Sequence, residues 1–361
     1  MGSDTGTIVT VDGRLDPEDA GVAITHEHLF VDVADAWYDP PDESYERELA
    51  EDEIRLENLW YVRRNSLAHR ENVRLDSLGE AIDEVSRYHR AGGDLLVDVT
   101  PKNIGRDPER VRGVARETGL NVVHGTAYYT KPAHPPGVEE MSTGDIEAEF
   151  VSDVREGIGD TDVQAGIIGE LGTSGDVLDE EKRVLRAGAR AALRTGASVT
   201  IHPPLMESEY PPSHYAHEIL DVLTDEGLPA ERVVLGHQDM VDELDHPDID
   251  DQLELAERGA FVEFDLWGWE AYITGQEHAA PSDNWRAKAT MEFIDQDLHS
   301  QLLFSHDVNH KWQRTKYGGF GYAHLLENIV PMLESHGVDQ EALDQVFVEN
   351  PRRMLTFTEP E

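Results

Sequence analysis

The sequence predicts a (β/α)8 barrel, also called a TIM barrel, formed by one α/β domain. Eight short apolar segments alternate with helical segments along the 361 residues, and short strands that alternate with helices pair in parallel. The length suits one large barrel, because barrels with insertions exceed about 250 residues. No Gly-x-Gly-x-x-Gly follows the first strand, which argues against the alternative, an open doubly wound sheet. The predicted strands are residues 22–24, 95–99, 122–126, 165–168, 198–201, 233–235, 261–264 and 302–304.

The helical segments between these strands begin and end with ordinary helix signals. Residues 78–91 form an amphipathic pattern closed by two glycines, and Asp107 and Pro108 supply an N-cap and a first-turn proline for the next helix. The other predicted helices are residues 145–156, 180–194, 213–225, 249–258, 285–295, 324–334 and 340–348.

Two further segments belong to the same predicted domain, which spans residues 1–361. Residues 7–20 read as a short strand pair with an Asp12-Gly13 turn. Residues 35–75 are polar and acidic, and we expect them to form a long excursion after the first strand, partly helical near residues 57–68. No segment has the composition of a domain linker.

Acidic residues outnumber basic residues throughout the chain. The 74 Asp and Glu residues against 30 Lys and Arg residues give a net charge of −44. Phosphate binding needs a basic face, so we expect a small-molecule substrate and neither nucleic acid nor a membrane as partner. Because concentrated salt screens repulsion among carboxylates, the composition predicts a halophilic protein from a high-salt cytoplasm. The alternative is an ordinary acidic protein.

Features that the sequence lacks argue against several classes of protein. Cysteine is absent, which excludes disulfide bonds and thiolate catalysis. The segment MGSDTGTIVT has no basic region followed by an apolar stretch, so we expect no signal peptide. No run of about 18 apolar residues predicts a transmembrane helix. These features together predict a soluble, cytoplasmic protein.

Two histidines follow the first predicted strand, in the segment GVAITHEHLFVD. His26 and His28 are two residues apart, and residues i and i+2 of a strand point the same way. Two imidazoles aimed at one point form half of a divalent-metal site. A His-x-His pair also occurs often in proteins without a metal, so the rest of the chain must decide.

Further metal-ligand residue types occur at the ends of later predicted strands. In a barrel these positions open onto one face, where the active sites of this fold lie. Each residue has an alternative explanation, since a strand-end His is often hydrogen-bonded in the core and a strand-end Asp is often a helix cap. The clustering of all of them predicts a metal site. The six candidates are His26, His28, Glu170, His202, His237 and Asp307.

The chain resembles the phosphotriesterase-like proteins of the amidohydrolase superfamily, from about residue 7 to residue 353. The matching stretches are GVAITHEHLFVD, GIIGELGTSG, SVTIHPP, VVLGHQD, LLFSHDV and YGGFGYAHLL. The resemblance implies a homodimer and two divalent metal ions joined by a bridging water or hydroxide, with zinc first and manganese or cobalt as alternatives. It implies that His26, His28 and Asp307 hold the buried ion, that His202 and His237 hold the more exposed ion, and that Glu170 bridges the two.

Glu170 is a departure from many relatives, which bridge the metal ions with a carboxylated lysine. The organophosphate hydrolases and the acyl-homoserine lactonases are among those relatives, whereas the stretch GELGTS resembles the phosphotriesterase homology branch. A glutamate supplies two carboxylate oxygens and can bridge two cations without modification. Its shorter reach argues against true phosphotriesterase activity.

The chemistry expected from this ligand set is hydrolysis. Two metal ions about 3.5–4 Å apart lower the pKa of a shared water and polarise a substrate oxygen. Asp307 is then expected to take the proton from the water and pass it to the leaving group, as the general base. No Gly-x-Ser-x-Gly motif is seen, and no serine nucleophile is needed.

Candidate substrate contacts follow the second, third, seventh and eighth strands. The basic residues of HKWQRTK, residues 310–316, could bind a substrate carboxylate or phosphate. The alternative is a solvated loop with ordinary surface ion pairs, and aromatic residues at strand ends also serve simple packing. The candidates are Lys102, Tyr129, Lys131, Trp267, His310, Arg314 and Lys316.

The expected function is a binuclear metal-dependent hydrolase acting on a lactone or another carboxylic ester of a small metabolite. An amide, such as an N-acylated amino acid or amine, is the first alternative because the same hydroxide can attack either carbonyl. A phosphotriester is the second. A non-catalytic metal- or metabolite-binding protein is the third, although a mere binder would not need Asp307 as a base.

Overall fold

Eight parallel strands form a nearly closed barrel in the computed structural model, which describes residues 4–205, 208–241, 247–269 and 281–361. The predicted (β/α)8 barrel is confirmed, and the barrel strands follow one another in chain order. The strands within these described ranges are β1 Ile8–Thr10, β2 Gly13–Leu15, β3 Ala23–Glu27, β4 Val31–Asp32, β5 Arg74–Leu75, β6 Leu95–Asp98, β7 Asn121–Thr126, β8 Ile167–Gly172, β9 Val199–His202, β10 Val233–Leu235, β11 Phe261–Phe264 and β12 Leu302–Phe304. The barrel consists of β3 and β6 to β12.

Hydrogen bonds across the seam between β3 and β12 bring the first and last barrel strands together. The backbone N–H of His26 donates to Oγ of Ser305 at 2.9 Å, and the backbone N–H of Asp307 donates to the carbonyl of His26 at 3.1 Å. The carboxylate of Glu27 also accepts hydrogen bonds from the backbone N–H groups of His306 and Val308. Two of the predicted metal ligands, His26 and Asp307, therefore take part in the seam.

Helices pack outside the strands, as the alternation of segments predicts. They are α1 Ala34–Trp37, α2 Ser44–Glu51, α3 Leu59–Arg64, α4 Leu78–Arg90, α5 Pro108–Thr118, α6 Thr143–Arg155, α7 Asp179–Thr195, α8 Pro212–Asp225, α9 Asp250–Glu257, α10 Asp283–Asp295, α11 Val330–Ser335, α12 Gln340–Asp344 and α13 Asn350–Leu355. Asp107 accepts a hydrogen bond from the N–H of Arg110 and caps α5 as predicted. Gly119 and Gly196 follow α5 and α7 with φ of 78° and 89°, the left-handed conformation that suits glycine.

The last helical region extends beyond its predicted end at residue 348. A π-helical turn at Gln345–Glu349 joins α12 to α13, which continues to Leu355. Pro351 lies in the first turn of α13, where its missing N–H removes no helical hydrogen bond. The sequence prediction ended too early because proline at a helix start and proline after a helix end look alike.

The excursion after β3 is more ordered than predicted. Antiparallel strands β4 and β5 pair Val31 with Leu75 and Asp32 with Arg74, which brings its two ends together, and helices α1 to α3 lie between them. The pairing places this excursion beside the carboxyl ends of the strands, where its residues contribute to the cavity described below. Near the N-terminus, β1 and β2 form the predicted antiparallel pair.

Alternating side chains divide the buried residues between two apolar clusters. One cluster includes Leu95, Val97 and Val123, which alternate with residues of the other cluster along their strands, as expected for the barrel interior. Leu96 and Val122 belong to the larger cluster, which includes residues of the surrounding helices. Among the described residues, no helix combines the length and the apolar character needed to cross a lipid bilayer.

Candidate metal centre

The six predicted ligand residues converge at the carboxyl ends of the barrel strands. Their ligand atoms form two groups, and within each group these atoms lie within 4.8 Å of one another. One group is His26, His28 and Asp307, and the other is Glu170, His202 and His237. All six side chains are buried. The backbones of His237 and Asp307 have φ of 55° and 47°, so each strand exit turns sharply at its ligand residue.

Glu170 lies between the two groups of imidazoles. One carboxylate oxygen, Oε2, is 3.3 Å from Nε2 of His26 and 3.1 Å from Nδ1 of His202. The other oxygen, Oε1, is 3.3 Å from Nε2 of His28. This arrangement is compatible with a carboxylate that bridges two metal ions.

Asp307 completes the group that contains the first-strand histidines. Its Oδ1 is 3.2 Å from Nε2 of His28, and its Oδ2 accepts a hydrogen bond from Nδ2 of Asn309 at 2.8 Å. Burial raises the pKa of Asp307, but the hydrogen bond from His28 outweighs this effect and the pKa lies below its ordinary value. The carboxylate is therefore ionised at neutral pH and free to act as a ligand or a proton acceptor.

Asp265, which directly follows β11, orients one histidine from each group. Its Oδ2 is 3.0 Å from Nδ1 of His26, and its Oδ1 is 2.8 Å from Nδ1 of His237. Because a carboxylate only accepts, both Nδ1 atoms carry protons and both Nε2 atoms are left to face the centre. Thr100 plays the same part for His28, with its hydroxyl 2.9 Å from Nδ1 of that ring.

The sequence analysis ended the seventh predicted strand at residue 264 and gave no role to Asp265, which follows it. Its position directly after a barrel strand is the signal that could have found it, since the assigned ligands occupy equivalent positions. The buried carboxylate of Glu263 was also missed; it lies 3.1 Å from Nδ1 of His26 and accepts from the hydroxyl of Thr25 at 2.5 Å. A glutamate inside an apolar strand indicates that a polar partner is buried beside it, because a buried charge without a partner is unfavourable.

The charges at the centre fit divalent cations. Burial lowers the pKa of His28, but hydrogen bonds to Asp307 and Glu170 raise it to about 10. Burial raises the pKa of Glu170, yet His26 and the neighbouring hydrogen bonds bring it well below its ordinary value. These buried carboxylates therefore attract positive charge strongly, from protons or from metal ions. Four imidazoles with two carboxylates are also donors that zinc, manganese and cobalt accept.

A cavity of about 530 Å³ lies against this centre, with His28, Glu170, His202 and Asp307 in its lining. Two predicted substrate residues, Tyr129 and His310, also line it. The Tyr129 hydroxyl is 3.2 Å from Nδ1 of His202. Burial lowers the pKa of His310 to about 4, so its imidazole is neutral at neutral pH. The cavity volume lies within the range of small-molecule sites, about 300–1,000 Å³.

The other five predicted substrate residues do not line this cavity. The ammonium groups of Lys102, Lys131 and Lys316 lie 2.6, 3.7 and 2.5 Å from carboxylates of Glu149, Glu180 and Glu80. Arg314 is fully buried and donates to the carbonyl of Leu29, while Trp267 packs edge-on against Phe304. Arg314 also lies 3.6 Å from a carboxylate oxygen of Glu80, so each of these four cations has a nearby anionic partner. Residues 310–314 are buried, however, and do not form a solvated loop, while Trp267 serves packing.

Fold and site together define a metal-dependent hydrolase whose active site lies at the carboxyl ends of the barrel strands. The chain belongs to the Phosphotriesterase family, whose model matches residues 6–355. That family uses a binuclear metal centre, and the two ligand groups described above match it.

Known proteins resemble the chain over nearly its whole length. The N-acetyltaurine hydrolase of Homo sapiens is 32% identical over 360 residues, which cover 99% of this chain and 100% of that protein. A crystal structure of a resiniferatoxin-binding protein from Rhodobacter sphaeroides has a TM-score of 0.91 and 37% identity, with 98% of each chain covered. The phosphotriesterase homology protein from Escherichia coli, complexed with phosphate in its active site, has a TM-score of 0.76 and 27% identity, covering 94% of this chain and 100% of that one.

Replacing Asp265 with Asn is expected to weaken metal binding by about 10–100-fold, the usual effect of losing a partner of a metal-bound histidine. The two carboxylate oxygens of Asp265 face His26 and His237, one each, whereas asparagine has only one accepting oxygen. Metal affinity would be measured by competition with a chromogenic chelator. Asp153→Asn is the control, since Asp153 is also buried but pairs with Arg106 and Thr126. Unchanged affinity in Asp265→Asn would contradict the orienting role.

Proposed function

We propose that the chain hydrolyses a carboxylic acyl bond of a small molecule with the help of two divalent metal ions. The observation that carries the proposal is the position of Glu170 between two groups of imidazoles, with Asp307 beside it against a cavity. A lactone or carboxylic ester is the substrate class predicted from the sequence. An N-acyl amide is the second candidate, favoured by the resemblance to N-acetyltaurine hydrolases.

Asp307, Asn309 and Tyr129 have separate parts in this proposal. When bound between these ligand residues, two metal ions would activate a water molecule and polarise the scissile carbonyl. Asp307 accepts the proton of the attacking water and later donates it to the leaving oxygen or nitrogen. Asn309 holds the Asp307 carboxylate in place through its 2.8 Å hydrogen bond. Burial and nearby carboxylates raise the pKa of Tyr129, so its hydroxyl stays protonated and can donate to the substrate.

A substrate panel of matched chain length tests the proposal. It contains an alkyl γ-lactone, an alkyl acetate, an N-alkylacetamide, N-acetyltaurine and an aryl dialkyl phosphotriester, each incubated with protein of verified metal content. Hydrolysis of a carbonyl substrate in preference to the phosphotriester is the expected result. A fully metallated protein that hydrolyses only the phosphotriester, or no member, would refute the proposal.

Two divalent ions per chain are expected, with zinc first and manganese or cobalt as alternatives. The expectation follows from the two ligand groups, because Glu170 belongs to one group and its carboxylate oxygens also lie 3.3 Å from His26 and His28 of the other. Elemental analysis of protein prepared without chelators would measure the stoichiometry. Replacing both His202 and His237 with Ala should lower the content by one ion, while a reproducible wild-type value of zero or one would contradict the binuclear proposal.

A halophilic origin is proposed from the net charge of −44. At low salt, repulsion among carboxylates should destabilise the fold, and molar salt should restore stability because the Debye length falls to about 3 Å. Thermal unfolding across a series of potassium chloride concentrations would measure the effect. An uncharged osmolyte at matched osmolality is the control, and a melting temperature independent of salt would remove the proposal.

A further inference from the structure

Lysine and arginine are missing from the described part of the lining of the cavity beside the metal centre. All lining residues that the structure describes are apolar, neutral polar, imidazole or carboxylate side chains. The segments outside the described ranges, residues 1–3, 206–207, 242–246 and 270–280, contain no Lys or Arg in the sequence. No lysine or arginine among these residues therefore offers a charged partner to an anionic group of a substrate.

Apolar side chains form most of the wall away from the ligand residues. They come from the excursion after β3 and from the loops after later strands, and they include Val33, Trp37, Leu67, Leu178, Leu205 and Met240. Removing apolar substrate surface from water against such a wall is favourable, at about 25 cal/mol per Å². Burying an unpaired anion there is unfavourable.

Several polar groups of the lining already have partners within the protein. The hydroxyl of Ser174 donates to Glu181 at 2.6 Å, and that of Thr173 donates to the carbonyl of His202 at 2.9 Å. The amide of Asn309 donates to Asp307. His310 contributes a neutral imidazole. Apart from the candidate metal ligands, three polar atoms of the described lining have no hydrogen-bond partner: Oγ1 of Thr130, Nε1 of Trp269 and Nε2 of His310. The wall therefore offers a few uncharged groups, but no lysine or arginine, to replace the hydration of a sulfonate or carboxylate.

We infer that the part of the substrate that does not react is uncharged and apolar. This inference rests on the proposed function, because it takes the ligand residues as the place where the acyl bond is cleaved. It sets the chain apart from the relative named for N-acetyltaurine, a compound whose non-reacting end is a sulfonate. The substrate class is a lactone, ester or amide with an alkyl or aryl substituent.

Binding of methyl ketones tests the inference, because a ketone presents a carbonyl but cannot be hydrolysed. 2-Nonanone and 6-oxoheptane-1-sulfonate differ mainly in the charge at the far end. Titration calorimetry of the metal-loaded full chain is expected to give at least about tenfold tighter binding of 2-nonanone, equivalent to 1.4 kcal/mol. Equal or tighter binding of the sulfonate would overturn the inference.

A cation added to the wall gives a second test with a matched control. Leu178 lines the cavity and is 37% exposed, so Leu178→Arg can keep its guanidinium in contact with water. The Arg variant is expected to reduce the preference for 2-nonanone by about tenfold, as expected for one charge-assisted contact, whereas Leu178→Met should leave it unchanged. If the ratio of the two ketone affinities is the same in Leu178→Arg as in the wild type, the inference is contradicted.

Both tests remain separate from the proposed function. Preference for the uncharged ketone together with no turnover of any panel substrate would refute the acyl-bond proposal alone. Turnover of the panel with preference for the sulfonate ketone would refute this inference alone.

Discussion

Asp307→Asn lowers the hydrolytic rate by about 10²–10⁴-fold at full metal content, the usual contribution of a positioned general base. Asparagine keeps the shape and one ligating oxygen of the side chain but loses its charge and basicity. The fold should persist, because Asp307 has φ of 47° and asparagine tolerates this left-handed conformation well. The rate constant kcat would be compared at matched metal content, and KM should change much less.

Asp297→Asn is a suitable control for this substitution. Asp297 also has a positive φ, 59°, but it is exposed and lies outside the ligand groups. Near-normal turnover in fully metallated Asp307→Asn would show that Asp307 is only a ligand. The base would then be His310, because both ring nitrogens of the other nearby histidine, His306, are engaged by Glu27 and by the backbone N–H of Leu325.

Glu170→Gln is expected to act through metal content. The substitution removes negative charge from between two groups of imidazoles and replaces one carboxylate oxygen with an amide that cannot ligate. Metal affinity should fall by more than the roughly 10–100-fold typical of an outer partner, and rate loss should follow in proportion to metal loss. Elemental analysis after equilibration at several free-zinc concentrations would measure the affinity.

The matched control is Glu84→Gln. Glu84 is also buried, but its carboxylate accepts from the hydroxyl of Thr315 and the N–H of Lys316 on the outside of the barrel. This variant should lose some stability while keeping both metal ions. Two retained ions in Glu170→Gln at low free zinc would contradict the bridging assignment.

The barrel and the convergence of the six candidate ligands could be predicted because both depend on local patterns. Apolar runs and helix signals locate the strands, and parallel strands in a barrel must end on one face. His202 and Asp307 therefore lie on the same face of the barrel, independently of the conformation of the loops between them. Their chemical roles remain predictions that the variants above will test.

The cavity wall could not be predicted in the same way, because loop direction depends on partners that are distant in the chain. Lys316 pairs with Glu80, 236 positions earlier, and no local pattern identifies that partner. Trp37 lines the cavity from an excursion that looked merely polar and acidic, since the β4–β5 pairing that folds it back involves only two residues per strand. The basic segment consequently looked like a binding loop.

The seam between β3 and β12 has a consequence for how the protein is made. His26 and Ser305, which meet there, are 279 positions apart in the chain. At a synthesis rate of about 5–20 residues per second, the ribosome needs on the order of 15 to 60 s to deliver the second after the first. During that interval the nascent chain carries His26 and His28 without Asp307 and without the eighth strand. The complete centre can therefore capture its ions only after translation has passed β12, so metal loading is a late step of biosynthesis.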